Sequence, residues 1–147
     1  RRGIFDFNQA IRLKPDFVEA YNLLGIQFLQ VNEFTQAYDA FDSVLELDPT
    51  HEYALLNRGA ALYYGDRIEL AIDDLSSFFQ QQTDDPYRII WLYLAEYQHD
   101  PAKAQLNLAF RRANTSDNNW ATQILQLFLN YLILFQLNNM LNLLKIQ

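Results

Sequence analysis

The sequence predicts an all-α fold, a stack of antiparallel helix pairs of the α-solenoid kind. A proline, a glycine, an alanine and a bulky apolar residue each recur at an interval of 34 positions, a length that suits one helix pair. The recurring pairs are Pro15 and Pro49, Gly25 and Gly59, Ala37 and Ala71, and Phe41 and Leu75. Half of the 147 residues are hydrophobic and only 4 are glycine and 4 proline, so the composition favours helices separated by few turns over strands.

Composition also excludes several classes of function. The net charge of −7 and the sequence pI of about 4.6 make the chain repel nucleic-acid phosphates and anionic lipids. The sequence contains no cysteine, which excludes disulfides, thiolate metal sites and a cysteine nucleophile. Neither a nucleic acid nor a membrane surface is therefore predicted as a partner.

Residues 1–15 predict the second helix of an incomplete repeat, because "FDFNQAIRLKP" has the apolar spacing of "AFDSVLELDP" in the next repeat. The first helix that would cover it is missing, so we expect the sequence to be a piece of a longer protein. The apolar residues left without a cover are Ile4, Phe5, Phe7, Ile11 and Leu13. We expect this surface to make the chain at least dimeric.

Residues 18–51 predict one complete helix pair. Asp16 and Glu19 form a capping-box pattern at the start of its first helix. Its second helix is expected to end before the proline of "DP", since proline cannot continue a helix. Gly25 on the first helix and Ala37 on the second are small, which predicts a close approach between the two helices.

Residues 52–85 predict a second helix pair with the same pattern. Arg58 stands where such repeats normally have a leucine, and we expect its guanidinium to be half buried. A buried arginine requires a carboxylate partner, and Asp73 or Asp74 is within reach on the second helix. We interpret Arg58 as a structural residue.

After Pro86 the 34-residue period is lost. Residues 86–113 predict an atypical hairpin in which Asp85 and Asp100 cap helices that begin with proline, and residues 1–117 are predicted to form one helical-repeat domain. In residues 118–147 the only charge is Lys145, and the unbroken apolar runs are far shorter than the roughly 18 residues that span a bilayer. We predict an apolar helical tail that packs against a larger core or a partner.

Residues 1–85 resemble tetratricopeptide repeats in four features: the 34-residue interval, the small residues, the aromatic residue and the terminal proline. Two segments have a narrower resemblance, "AYDAFDSVLELDPTHEYALLNRGAALYYGDRIELAIDDL" and "DDPYRIIWLYLAE". They resemble the NlpI family of outer-membrane lipoproteins of Gram-negative bacteria, and the similarity runs from Phe7 to Leu129. The lipidated cysteine of that family is missing here, and nothing matches beyond Leu129.

This resemblance implies a tetratricopeptide scaffold that faces the periplasm, is held at the outer membrane by an N-terminal lipidated cysteine and forms homodimers. It implies an adaptor that brings a periplasmic tail-specific protease to murein endopeptidases and docks other peptidoglycan-remodelling enzymes. Attachment to the membrane is implied by the family alone, because the sequence has no cysteine.

Few residues qualify for catalysis or for binding a metal or cofactor. His51 and His99 are the only histidines, and no serine or carboxylate pairs with both of them at a useful helical spacing. The adjacent acids at 73–74 and 84–85 would point about 100° apart on a helix, which favours solvated or capping roles over a shared metal ion. The sequence therefore favours a protein that is not an enzyme.

The predicted partner site is the inner groove lined by the first helices of the two repeats. We assign to this groove Glu19, Asn22, Ile26, Tyr53, Asn57, Ala60 and Tyr64, with Leu29, Leu56 and Tyr63 beside them. Tyrosine offers broad contact area and asparagine can bond to a peptide backbone as donor or acceptor, so a peptide segment is the predicted ligand.

One alternative for this site stays open. Tyr63 and Tyr64 could instead pack against the next helix pair. A clamp for a terminal carboxylate is not predicted, because Asn22 and Ile26 occupy the positions where it would need lysine or arginine.

Two functions of different classes follow from these observations. The first is an adaptor of the bacterial envelope that binds partner proteins. The second is a truncated structural fragment with an incomplete partner surface, in which the uncovered half repeat and the apolar tail mainly cause self-association.

Overall fold

The computed structural model describes residues 2–115 together with Gln123 and Gln126. These residues form seven helices and no strand, and short turns join neighbours that pack as pairs, which confirms the predicted fold class. The helices are α1 (Arg2–Leu13), α2 (Val18–Gln30), α3 (Phe34–Leu47), α4 (Ala54–Tyr64), α5 (Ile68–Gln80), α6 (Pro86–His99) and α7 (Pro101–Ala113).

The contacts divide the chain into two compact units, Arg1–Gln81 and Gln82–Gln147. The first unit contains α1, which is the predicted half repeat, and the two predicted repeats, α2–α3 and α4–α5. The second unit contains the atypical hairpin, α6–α7. The predicted boundary at 117 and the apolar tail at 118–147 lie outside the described residues, apart from Gln123 and Gln126, and stay predictions.

The 34-residue interval has a packing explanation. A Cβ atom on Gly25 would lie 2.6 Å from the Phe41 ring, and one on Gly59 would lie 2.8 Å from Cγ of Leu75. In each repeat, a glycine on the first helix thus makes room for a bulky side chain of the second helix. The nearest neighbour of Gly25 is Phe41 and not Ala37 as predicted; Ala37 instead lies in a buried cluster with Phe41 and Ala61 of α4.

The turn inside each repeat has the same construction. Asn32 and Asp66 end their turns with φ values of 61° and 60°, a left-handed conformation that asparagine and aspartate tolerate better than most residues. The N–H of the following residue donates to the carbonyl five positions earlier, at 2.9 Å in the first repeat and 2.8 Å in the second. These bonds satisfy carbonyls at the ends of α2 and α4.

Two of the three predicted helix caps are present. The Asp85 side chain accepts a hydrogen bond from the Tyr87 N–H at 2.9 Å, and Asp100 accepts one from the Lys103 N–H at 3.1 Å. The capping box at Asp16 is wrong: Phe17 is the N-cap residue of α2 and has no side-chain cap. Asp16 therefore lies one position too early to reach the first free N–H groups of the helix.

The uncovered surface predicted for the half repeat is only partly exposed. Phe5 and Leu13 are 63% and 88% exposed, whereas Ile4, Phe7 and Ile11 are half buried, and α1 packs against α2.

None of the described helices is both long and apolar enough to cross a membrane.

The hairpin α6–α7 is held by an ion pair between its helices. Both guanidinium Nη atoms of Arg111 donate to the Glu96 carboxylate, at 2.6 and 2.8 Å. Asn107 adds a third bond to Glu96 at 3.3 Å. Because this arrangement is bidentate and both side chains are mostly buried, it fixes the register of α6 against α7.

Tyr93 gives the second unit a predicted sensitivity to alkaline pH. The side chain is 1% exposed, and burial, with a smaller contribution from the charge of Tyr97, raises its pKa to about 12. In the unfolded chain the Tyr93 phenol has a pKa near 10, so the folded state is stabilised by its neutral phenol only where both states hold the proton or the folded state alone does. This stabilisation is complete below about pH 10 and is lost as the pH rises toward 12. We expect a loss of about 1 kcal/mol between pH 9 and pH 11.

Urea unfolding at the two pH values measures this loss. Tyr93→Phe has no phenol to ionise at this position, so its unfolding free energy should change less over the same interval. An equal alkaline loss in Tyr93→Phe would assign the effect to other tyrosines.

Candidate peptide-binding groove

The first helices of the two repeats, α2 and α4, lie side by side and form the centre of the predicted groove. Asn57 on α4 donates its side-chain N–H to the side-chain carbonyl of Asn22 on α2 at 3.2 Å. Both side chains are part-buried, and neither makes another side-chain bond among the described residues. The pair therefore retains N–H donors on Asn22 and an acceptor oxygen on Asn57, which together match the C=O and N–H of a peptide backbone.

The two groove tyrosines are each held by an aromatic residue of a second helix. Tyr64 is 56% exposed, and its ring stacks on Phe34 of α3 with centroids 6.0 Å apart and 23° between the planes. Tyr53 is 47% exposed and lies 6.4 Å from the buried Phe78 ring of α5. These contacts fix the rings while leaving about half of each available to a ligand.

Tyr63 and Tyr64 differ in exposure as adjacent helical residues should. Tyr63 is half buried, and its ring meets the Tyr64 ring edge-on at 5.3 Å. The Phe34 ring that Tyr64 stacks on belongs to the first unit, so the packing of Tyr64 does not depend on the helix pair that follows α5.

The other assigned residues form the edge and the floor of the groove. Glu19 is exposed in the first turn of α2. Ile26 packs against the buried cluster that contains Phe41, and Ala60 is buried on α4. Ile26 and Ala60 thus contribute packing and a smooth floor, whereas Asn22, Asn57 and the two tyrosines offer accessible groups. Their role in binding stays a prediction.

Arg58 joins the second helices of both repeats. Its Nε and Nη2 donate to the two carboxylate oxygens of Asp74 at 2.8 Å each, and its Nη1 donates to Asp42 at 2.6 Å. The bonds to Asp74 and then the nearby carboxylate charges raise the pKa of Arg58 above its usual range, against the opposing effect of burial. The predicted partner Asp74 is confirmed, Asp73 is exposed, and Asp42 was not predicted.

Residues 18–85 contain only two cations, Arg58 and Arg67. Arg58 is held by its two carboxylates, and the guanidinium of Arg67 lies 4.9 Å from the centre of the Tyr38 ring. Both are therefore engaged by side chains of the first unit. A ligand that depends on a positive charge, such as a terminal carboxylate, finds little to bind in this groove.

Most of the histidines and aspartates considered above as metal ligands lie in turns, at helix ends or in ion pairs. His51 lies in the turn between α3 and α4, and His99 is the last residue of α6. Asp74 binds Arg58, and Asp85 caps α6 and lies 3.3 Å from Nε of Arg88. Within the part of the chain that the structure describes, no three His, Cys, Asp or Glu residues are grouped as metal ligands.

Comparisons with known proteins support the fold. No known family profile matches the chain. The crystal structure of MamA superposes with a TM-score of 0.66 and 21% identity, over 75% of this chain and 65% of MamA. MamA 41-end from Desulfovibrio magneticus RS-1 gives a TM-score of 0.67 and 22% identity, over 74% and 62% of the two chains. A MamA RS-1 ArsTM double mutant gives 0.65 and 24%, over 74% and 61%.

The chain thus spans less than two thirds of the length of these structures. At this identity the likeness concerns the fold alone, which is a tetratricopeptide-like stack of helix pairs. It fits a tetratricopeptide protein without pointing to the NlpI family in particular.

Proposed function

We propose that this chain is a protein-interaction scaffold without catalytic activity, and that the α2–α4 groove binds a segment of a partner protein. The observation that carries this proposal is the Asn22–Asn57 pair, which presents a donor and an acceptor between two anchored, half-exposed tyrosines. Rigid tyrosines bind with little loss of conformational entropy, and free amide groups can bond to a peptide backbone. The tetratricopeptide-like fold provides a concave surface of the kind that binds such segments.

The sequence resemblance supports a more specific proposal for the location and the partners of the protein. Residues 37–75 and 84–96 resemble the NlpI family. On that basis we place the protein at the periplasmic face of the outer membrane, held by a lipid anchor and forming homodimers. Its partners would be a periplasmic tail-specific protease and the murein endopeptidases that it brings to that protease.

Single substitutions in the groove test this proposal. Tyr64→Ala and Asn57→Ala are each expected to weaken capture of the purified tail-specific protease or a murein endopeptidase by about 1 kcal/mol, because each removes an accessible contact. Tyr63→Ala should lower the melting temperature first and binding second, since Tyr63 is half buried. Biolayer interferometry gives the affinities, and circular dichroism gives the helicity.

Tyr87→Ala is the matched control, because Tyr87 is a similarly exposed tyrosine on α6. If both groove variants bind at the parental affinity, the groove assignment is wrong. If the parent itself captures neither enzyme and light scattering shows only its own oligomers, the alternative is better supported, in which the chain is a structural fragment that mainly self-associates. The exposed Phe5 and Leu13 on α1 are what favours that alternative.

A further inference from the structure

A second surface lies on a different face of α2 from the groove. Two adjoining clefts, of about 460 and 250 Å³, share Phe28 and Gln36 in their linings and so form one continuous trough. The trough contains Tyr21, Leu24 and Phe28 of α2 and Val31, the residue that follows α2, whereas the groove uses Asn22 and Ile26. The larger cleft lies between α1 and α3 with α2 as its floor, and the smaller one continues along α2 and α3.

The trough has an apolar floor and a polar rim. Tyr21, Leu24 and Phe28 provide the floor, and Phe5 on α1 provides an exposed aromatic wall. On the α3 side, Gln36, Asp39 and Ser43 follow one another at intervals of three and four residues, which places them on one face of the helix.

The charge of this rim selects the partner. Asp39 is exposed, and its carboxylate has no partner within the described part of the chain. Glu33 lies at one end of the trough, where its carboxylate accepts a bond from Gln36 at 3.1 Å. Residues 18–85 contain 13 carboxylates and 2 arginines, and both arginines are engaged elsewhere. The described cations of α1, Arg2 and Arg12, are exposed, and neither lines either cleft.

The walls of the trough select the shape of the partner. An extended segment that pairs as a strand needs free backbone N–H and C=O groups, and the backbone of helices α1, α2 and α3 is already paired. The floor from Tyr21 to Val31 extends over ten residues of helix, or about 15 Å, close to three helical turns. A helix with apolar side chains at intervals of three and four residues fits such a surface.

We propose that this trough binds an amphipathic helix of a partner protein, with its apolar face on Phe28 and lysine or arginine beside Asp39 and Glu33. This surface is independent of the groove, so a scaffold could hold one partner in each. Attraction between the acidic rim and a basic helix strengthens binding at low ionic strength and is screened by salt.

A designed peptide tests the proposal. The probe is a fluorescein-labelled amphipathic helix of leucine and lysine, and fluorescence anisotropy with the full chain measures its affinity. One comparison peptide has glutamate in place of lysine, and another has the same lysine and leucine composition in a scrambled order that has no apolar face. We expect the lysine helix to bind at least tenfold more tightly than either, and more weakly at about 500 mM than at about 50 mM salt.

Variants of exposed residues locate the binding site without threatening the fold. Phe5→Ala and Asp39→Asn should each weaken the lysine helix several-fold. Phe110→Ala on α7 is the matched control for an exposed phenylalanine, and Asp73→Asn on α5 is the control for an exposed aspartate outside the trough and the groove. Both should bind as the parent does. Equal affinity for the scrambled peptide, equal affinity for the glutamate peptide, or no effect of Phe5→Ala and Asp39→Asn would each overturn the proposal.

Discussion

Arg58→Met is expected to lower the free energy of unfolding by about 3 kcal/mol, because it leaves two carboxylates without their cation. Asp74 is buried and accepts two bonds from the guanidinium, and Asp42 accepts a third. An unpaired buried charge costs more free energy than the intact ion pair contributes. Urea unfolding followed by circular dichroism at neutral pH measures the change.

Two further variants isolate this effect. Arg67→Met removes an exposed arginine that contacts Tyr38 through a cation–π interaction, and it should cost less than about 1 kcal/mol. Arg58→Met combined with Asp42→Leu and Asp74→Leu removes all three charges and should recover most of the loss, since apolar side chains can replace a buried ion pair. A loss in Arg58→Met no larger than in Arg67→Met would show that these bonds do not stabilise the repeats.

Gly25→Ala is expected to lower the free energy of unfolding by about 2 kcal/mol, within the range typical of overpacked cores. The added Cβ would lie 2.6 to 2.8 Å from three atoms of the Phe41 ring, and that ring is fully buried, so it cannot move aside without displacing its own neighbours. Leucine at this position should cost more, since it adds further atoms at the same contact. Thermal and urea unfolding both report the loss.

The same substitution should be harmless where the contact is missing. Gly3→Ala places a Cβ 3.1 Å from the amide oxygen of Gln27, which belongs to a flexible side chain, so stability should change by less than about 1 kcal/mol. In a Phe41→Ala background the cost of Gly25→Ala should also fall below about 1 kcal/mol. An undiminished cost in that background would mean that Phe41 does not limit the approach of α2 and α3.

The repeat could be predicted from sequence because its spacing is a packing requirement. Gly25 and Gly59 recur together with Phe41 and Leu75 because each glycine receives the bulky side chain of its own repeat. Proline after a capping aspartate predicted the starts of α6 and α7 for a similarly local reason. Such features depend on the chain within one helix pair, so periodicity and composition are sufficient to find them.

Contacts between repeats were harder to predict. Asp42 precedes Arg58 by 16 residues, as Asp74 follows it by 16, but only the packing of α3 beside α4 brings Asp42 into reach. The stacking of Tyr64 on Phe34 also joins two repeats. Periodicity identifies the face of a helix and leaves open which side chains meet across two such faces.

The trough was missed for a related reason. Tyr21, Leu24 and Phe28 have the spacing of a core stripe, and such spacing predicts burial. The clefts exist because α1 and α3 leave part of this stripe uncovered. An amphipathic pattern predicts that a face will be buried, whereas the extent of its cover depends on the neighbouring helices.

Hydrogen exchange measured by mass spectrometry tests most directly whether α2 and α4 bind a partner protein. The chain is exchanged alone and with a saturating amount of the purified tail-specific protease, and then with a murein endopeptidase. We predict that at least one of these proteins slows exchange in α2 and α4, and that Tyr64→Ala reduces the slowing while Tyr87→Ala does not. Exchange in α2 and α4 that neither protein slows, or slowing confined to α6 and α7, would contradict the proposed scaffold function of the groove.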